Sequence, residues 1–277
     1  MPIVINSNIA SLEAQRNLSK TQVDQSMNFQ RLSSGMRING AADDAAGLAI
    51  SENLNAQVRS FSVAERNSNN AISMAQTAES ALGQVSSILT RMRELAVQGA
   101  NGDLGATDRG YLDTEFQSLR SEITRISDST LFNGRQLLGG AATTVTFQVG
   151  INNTTSDRID VSFGGVDLTA LGLAASNLAG ATAATSQAAI GAIDGAITNV
   201  STRRATFGAS MNRLATTVAN LQSMKTNMSA AHSRIKDVDV AEETASMARN
   251  QVLSQAAVAI LSQANQAPQL AMSLLRG

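Results

Sequence analysis

The sequence predicts a mainly α fold: an elongated antiparallel helical bundle or coiled coil carrying a small β-hairpin, with the N- and C-terminal segments paired. Three observations predict it. Apolar residues recur at alternating steps of three and four over two stretches far apart in the chain. A short central region instead alternates apolar and polar residues one by one. And 44 of the 277 residues are alanine while aromatics make up only 3%, a composition suited to helix seams rather than to a globular centre, which large rings normally anchor.

The elements follow in order. Near the start, Ile5, Ile9 and Leu12 share one helical face, and Leu18, Val23 and Met27 continue it less regularly. Asp43-Asp44 reads as an N-terminal cap for a helix beginning at Ala45, where acids meet the positive end of the dipole. The seam of that helix runs Ala71, Ala75, Ala78, Leu82, Val85, Leu89, Met92, Ala96, Gly99. Asn101, Gly102 and Gly105 break it. A helix from about Asp108, a candidate cap, to Ile126 puts Leu112, Phe116, Leu119, Ile123 and Ile126 on one face, and Phe132-Asn133-Gly134 reads as a turn.

Val145, Phe147 and Val149 then alternate with Thr144, Thr146 and Gln148, and Ile159, Val161 and Phe163 with Asp160 and Ser162. These are two half-buried strands of a hairpin at about 143–164 joined by the loop Gly150 to Arg158. A hairpin does not stand alone, so its apolar face must lie on the helices. Gly180 to Ala189 reads as a weakly ordered approach to the longest seam: Ile190, Ile193, Ile197, Val200, Arg204, Phe207, Met211, Leu214, Val218, Leu221, Lys225, Met228, His232, Ile235. Its mean spacing is that of a left-handed coiled coil, and at 1.5 Å per residue it reaches about 70 Å. Asp239 with Glu242 forms a capping-box-like start for a last helix with Leu253, Ala257, Ile260, Ala264, Ala267, Ala271 and Leu274 in alternation, interrupted by Pro268. The terminal stretches hold too little apolar area to stay folded alone. An apolar stripe without a partner inside the chain implies a partner outside it, a copy of the same chain before any other.

Composition excludes much chemistry. There is no cysteine and one histidine, so no thiol nucleophile, iron–sulfur site or multi-histidine zinc site is available. A net charge of −1 with three lysines does not give the basic field a nucleic-acid binder needs. Charged residues are 16% against roughly 25% in ordinary soluble chains. No run of about 18 apolar residues spans a membrane, and Met1 to Asn8 is too short and uncharged for a cleavable signal. His232, between Met228 and Ile235 on the seam, reads as a helix-packing histidine, and no nucleophile elbow, phosphate loop or dinucleotide fingerprint occurs. Arg91-Met92-Arg93-Glu94 reads as a solvated face with local ion pairs, and Glu242-Glu243 as acids at a helix start; Arg204 and Lys225 read as snorkelling stems or members of buried pairs. No catalytic residue, cofactor or metal site is expected. The residues by themselves lead to a self-associating helical protein.

The segment Arg31-Leu-Ser-Ser-Gly-Met-Arg-Ile-Asn39, continuing Gly40-Ala-Ala-Asp-Asp-Ala-Ala-Gly-Leu-Ala-Ile-Ser51, resembles the N-terminal signature of bacterial flagellins. So do Ile5-Asn-Ser-Asn-Ile-Ala10, Arg91-Met-Arg-Glu-Leu-Ala-Val-Gln98, Thr130-Leu-Phe-Asn-Gly-Arg135, Gln263-Ala-Asn-Gln-Ala-Pro268 and Leu274-Leu-Arg276, covering residues 1–140 and 188–277. The resemblance implies a structural subunit that self-polymerises into the filament for swimming motility, in a short form lacking large outer domains. It implies a terminal coiled-coil domain of residues 1–43 and 236–277, inner and channel-lining, disordered in the free monomer, and a helical rod domain of residues 44–235 that carries the β-hairpin at about 143–164.

The residues expected to drive polymerisation are Ile5, Ile9, Leu12, Leu253, Ala257, Ile260, Ala264 and Leu274. Implied partners are other copies in a helical homopolymer, the filament cap, the hook–filament junction protein, a flagellin export chaperone and the type III export apparatus. An animal innate receptor is implied as well, through Arg91, Leu95 and Glu115. The implied location is extracellular, in the filament, without membrane insertion. Two readings stay open beside this one: a hook–filament junction protein, and another type III-exported coiled-coil protein such as a secreted effector or adhesin module. An enzyme would require an activity lost in His232→Ala.

Overall fold

The computed structural model describes the backbone of residues 7–276 and the side chains of residues 7–266. Helices dominate: α1 (Ile9–Ser34), α2 (Ala45–Gly99), α3 (Ala106–Ser129), α4 (Ala184–Lys236) and α5 (Val240–Arg276). Between α3 and α4 lie two antiparallel two-stranded ribbons, β1 (Leu131–Phe132) with β2 (Arg135–Gln136), and β3 (Thr143–Gln148) with β4 (Arg158–Phe163). The chain divides into two compact units, Met1–Val58 with Thr226–Gly277, and Arg59–Lys225.

In the first unit α1 and α5 pack as an antiparallel pair, shown by hydrogen bonds that join Asn8 to Ala264 and Asn28 to Ser246. Gly35 stops α1 in the left-handed conformation, φ 70°, a position that glycine takes without a Cβ clash. The next residues are tied to the end of α4 and the start of α5. Arg37 N donates to Lys236 O at 2.7 Å, Val238 N to Gly35 O at 3.0 Å, and Met36 bridges Asp237. Asp44 caps α2, accepting from Gly47 N at 2.8 Å. Asp43 does not share that role: its Oδ2 accepts from Asn39 N and Gly40 N at 2.9 and 3.0 Å, so it closes the preceding loop instead. A Cβ on Gly47 would lie 2.7 Å from the Ile38 Cδ1, so the buried Ile38 reaches α2 only because that residue is glycine. Asp239 caps α5 through Ala241 N and Glu242 N.

The second unit holds the main core. Every position of the expected α2 seam from Ala71 to Gly99 is buried. α4 runs antiparallel to it, fixed by Arg93–Asp194, Arg204–Glu79 and Lys225–Glu65 at 2.6, 2.7 and 3.4 Å. On α4 the buried residues Ile193, Val200, Phe207, Leu214 and Leu221 stand seven apart. Their companions are Ala189, Ala196 and Ser210, while Ile190, Ile197 and Met211 are only half buried. The second row of the seam is therefore made of small residues, which let the helices close up, and Arg204 lies outside it, ion-paired. The β3–β4 register pairs Val145 with Val161 and Phe147 with Ile159. The alternation turns Ile159, Val161 and Phe163 inward, and Phe163 meets Phe207 at 5.3 Å between ring centroids.

Three further expectations are corrected. Asp108 is not the cap of α3; Gly105 is, and Asp108 at the third helical position accepts from Gly105 N at 3.2 Å. The approach to α4 is not weakly ordered: the helix begins at Ala184, and Ser186 and Ala189 are buried, because small side chains pack closely there. A Cβ on Gly99 would lie 2.7 Å from Ser186 Oγ. After β4, Val166, Leu171, Leu173 and Leu178 join the core, and Gly164 N and Val166 N donate to Leu137 O and Leu138 O. Finally, α5 runs through Pro268 without ending.

Candidate assembly surface

The α1–α5 seam is built from unusual material. One row of more buried positions on α1 runs Ser11, Ala14, Leu18, Thr21, Gln25, Asn28 and Leu32, and one on α5 runs Glu243, Met247, Asn250, Ser254, Ala257, Leu261 and Ala264; Asp24, Arg31 and Ser246 beside them are half buried as well. Both rows alternate steps of three and four, the coiled-coil spacing. Yet most members are small or polar, and they hold together by hydrogen bonds. Ser11 Oγ donates to Asn265 Oδ1 at 2.7 Å. The Asn28 carboxamide lies against Ser246, Glu243 and Asn250, and Arg31 faces Glu243 at 3.8 Å.

Asn8 does two things at once. Its Oδ1 accepts from Ser11 N at 3.1 Å, capping α1, and its Nδ2 donates to Ala264 O at 2.8 Å. Ala264 is four residues before Pro268, and proline has no N–H to bond a carbonyl one turn back. Asn8 therefore satisfies the acceptor that Pro268 frees, which is how α5 continues through the proline.

Apart from Leu18, Leu32, Met247 and Leu261 on the inner rows, many large apolar side chains face the other way. Ile9 is 62% exposed, Leu12 61%, Leu253 49% and Ile260 57%, and Val23, Phe29, Val252 and Val258 are exposed as well. Of the expected polymerisation residues, these four lie on the outer surface of the pair, while Ala257 and Ala264 are half buried on the inner row. The single expected stripe thus splits into an inner row of alanines and an outer row of bulky chains. Ile5 lies outside the described residues, and so does the side chain of Leu274.

Arg91 and Glu115 come together in the second unit, with Arg91 Nε donating to Glu115 Oε1 at 2.9 Å and Nη1 to Glu94. Hydrogen bonds from Arg91 to Glu94 and Glu115 hold its guanidinium pKa above the usual value. Leu95 is 1% exposed and belongs to the core beneath them. Bonds to backbone N–H groups of Asn39 and Gly40 lower the Asp43 pKa. The Gln222 amide, then Lys225, lowers that of Glu65, and Arg125 that of Glu122.

Among the described residues no group of three or more histidine, cysteine or acidic side chains could hold a metal ion. Among the described residues the buried His232 Nε2 has no hydrogen-bond partner, an imidazole packed rather than poised against an acid. A groove of about 770 Å³ beside the β3–β4 loop carries Asp157, Arg158 and Arg213 as its titratable lining. Two residues escaped the sequence reading. Arg109, 3% exposed, donates to Gly99 O, Asn101 O and Ala181 O, closing the end of α2 onto the approach to α4. Asn28 could have been found by extending the three–four alternation through α1, which lands on it.

Residues 5–143 match the family model described as the bacterial flagellin N-terminal helical region, and residues 190–275 the bacterial flagellin C-terminal helical region. The chain is 46% identical over 276 residues to a flagellin of Halalkalibacterium halodurans, covering 99% of this chain and 100% of that one. It is 40% identical over 288 residues to the flagellar filament 33 kDa core protein of Treponema phagedenis, again over 99% and 100%. Among solved structures a flagellar hook-associated protein from Vibrio parahaemolyticus aligns with a TM-score of 0.58 at 20% identity, over 70% of this chain and 100% of that one, a likeness of fold alone.

Proposed function

The chain belongs to the bacterial flagellin family, and from that premise we propose how its surface serves the family's work: it is a structural subunit that self-polymerises into the flagellar filament, and the outer apolar row of α1 and α5 is the surface it polymerises through. The observation that carries this reading is the inversion of the terminal pair. An ordinary amphipathic pair buries its bulky chains between the helices; here small and polar residues make up most of the seam, and Ile9, Leu12, Leu253 and Ile260 face out. Burying one such side chain is worth about 1.5–3 kcal/mol, while association costs about 4–15 kcal/mol. Contact with a single neighbour through two or three residues is therefore weak, and contact with several neighbours in a lattice is strong. That balance suits a polymer which grows at its end and does not form stray dimers.

The terminal domain of residues 1–43 and 236–277 is the inner part of the filament in this reading, and residues 44–235 form the helical rod domain. The filament cap, the hook–filament junction protein, an export chaperone and the type III export apparatus are its other partners, and its place is the extracellular filament. No helix among the described residues is long and apolar enough to cross a membrane. The protein acts by assembly and not by catalysis. The exposed Arg91–Glu115 pair, supported from below by Leu95, is the surface for an animal innate receptor. Full-length identity to filament proteins favours the filament subunit over a hook–filament junction protein, and a junction protein would not grow long filaments alone.

Removing residues 264–277 tests the reading. Arg59–Lys225 should stay cooperatively folded by circular dichroism, and seeded samples should show no filaments by electron microscopy. Filaments of normal length from the truncated chain would defeat it.

A further inference from the structure

The chain contains three Asn–Gly steps, Asn39–Gly40, Asn101–Gly102 and Asn133–Gly134. Glycine after asparagine has no Cβ to block approach of its nitrogen to the asparagine side chain, and asparagine is among the thermally labile residues for this reason. The structure treats the three steps differently. At Asn39 both reacting nitrogens are held: Gly40 N donates to Asp43 Oδ2 at 3.0 Å, and Asn39 Nδ2 donates to Met36 O at 3.2 Å. At Asn133 the step is a tight turn, φ 49° and 77°, pinned by pairing of Phe132 with Arg135; ring closure there must break the pairing. At Asn101 both residues are exposed, and among the described residues no group accepts from Gly102 N or from the Asn101 carboxamide. Only the Asn101 backbone is anchored, its N–H to Gln98 O and its carbonyl by Arg109 Nη2.

We propose that Asn101 is a self-modifying site, at which the Gly102 nitrogen attacks the Asn101 carboxamide, while Asp43 holds the same reaction shut at Asn39. The Gly102 N–H gives its proton to solvent base, the new N–Cγ bond forms, and the Cγ–Nδ2 bond breaks as Nδ2 takes a proton back from solvent and leaves as ammonia. Water then opens the succinimide at either carbonyl, leaving aspartate or isoaspartate. Carboxamide and water become carboxylate and ammonia, with no change of oxidation state. The product matters locally. Isoaspartate adds a methylene to the main chain beside an acceptor of the buried Arg109, and either product adds a negative charge near Asp103 at the end of α2, where the helix dipole disfavours it. The corner loosens with age.

The test is incubation of the full-length chain at mildly alkaline pH, tryptic digestion, and fragment mass spectrometry of peptides Glu94–Arg109, Ile38–Arg59 and Ile126–Arg135. A charge-assisted hydrogen bond on the attacking N–H is enough to slow it at least about tenfold. Conversion at Asn101 should therefore outrun Asn39 by at least about tenfold in the folded chain. The gap should close in urea, and Asp43→Ala should raise the rate at Asn39. Equal rates in the folded chain, an undiminished gap in urea, or an Asn39 rate unmoved in a folded Asp43→Ala chain would each overturn the proposal. Because the urea comparison uses the unaltered sequence, it decides the matter even if Asp43→Ala does not fold.

Discussion

Asn8 and Pro268 are 260 positions apart in the chain and act as one device through Ala264 O, which accepts from Asn8 Nδ2 at 2.8 Å. A partly buried carbonyl left without a donor costs about 1 kcal/mol. Asn8→Ala should therefore lower the melting temperature of the assembled protein, and Pro268→Ala, which restores an N–H to the helix, should recover part of that loss; a double-mutant cycle reads the coupling directly. Arg109 is the larger case. Its three carbonyl acceptors lie 2.9–3.3 Å away in a buried setting. Arg109→Ala leaves them unpaired and should destabilise the second unit by at least about 3 kcal/mol in a urea titration. Arg109→Lys, without the planar fork, should rescue little. Neither role was legible beforehand. A sequence shows that proline frees a carbonyl but not which side chain across the pair takes it, and an arginine that caps another helix looks like any surface arginine.

Helix seams were the legible part at the next scale. The α2 row from Ala71 to Gly99 reads straight from spacing because each member is buried against one partner. The α4 row was half right: period seven finds Phe207 and Leu214, but the second row falls to Ala189, Ala196 and Ser210 rather than to Ile190, Ile197 and Met211. Periodicity weighs bulk, whereas close packing favours small residues, so the choice between adjacent rows is invisible to it. The two kinds of position predict different losses. Phe207→Ala, against Phe163, should cost about 3–5 kcal/mol. Arg204→Ala removes a largely exposed ion pair with Glu79 and should cost at most about 1 kcal/mol. Acid acts at this scale too. Asp43, Glu65 and Glu122 have pKa values below their ordinary 3.8, 4.5 and 4.5. A carboxylate lowered in the folded state contributes stability that is full above its ordinary value and is lost as pH falls through its folded value. Stability measured by thermal melting should thus be flat near neutrality and decline below about pH 4.5. Glu65→Gln should flatten part of that decline, with high salt weakening the effect because solvent reaches these groups.

For the whole molecule, family membership rests on motifs at both ends, and residues 5–143 and 190–275 carry it. The fold class, the hairpin and the pairing of the termini were all readable from the chain. What the sequence obscured is the orientation of the terminal helices. Ile9, Leu12, Leu253 and Ile260 were expected on one stripe with Ala257 and Ala264, and they are exposed on the outside of the pair while the two alanines are half buried, because Ser11, Asn28 and Asn265 bind across the seam by hydrogen bonds that hydropathy does not register. Composition takes its meaning from this: a chain with few bulky residues leaves many of its terminal ones exposed, the surface that the proposed polymerisation would cover. The most direct measurement is electron microscopy of the seeded Leu12→Glu/Ile260→Glu chain beside a Thr21→Ser control on the inner row. If the outer row is the polymerisation surface, the double variant keeps the melting profile of the second unit and forms no filaments, while the control polymerises normally. Filaments of ordinary length and number from the double variant would contradict the account.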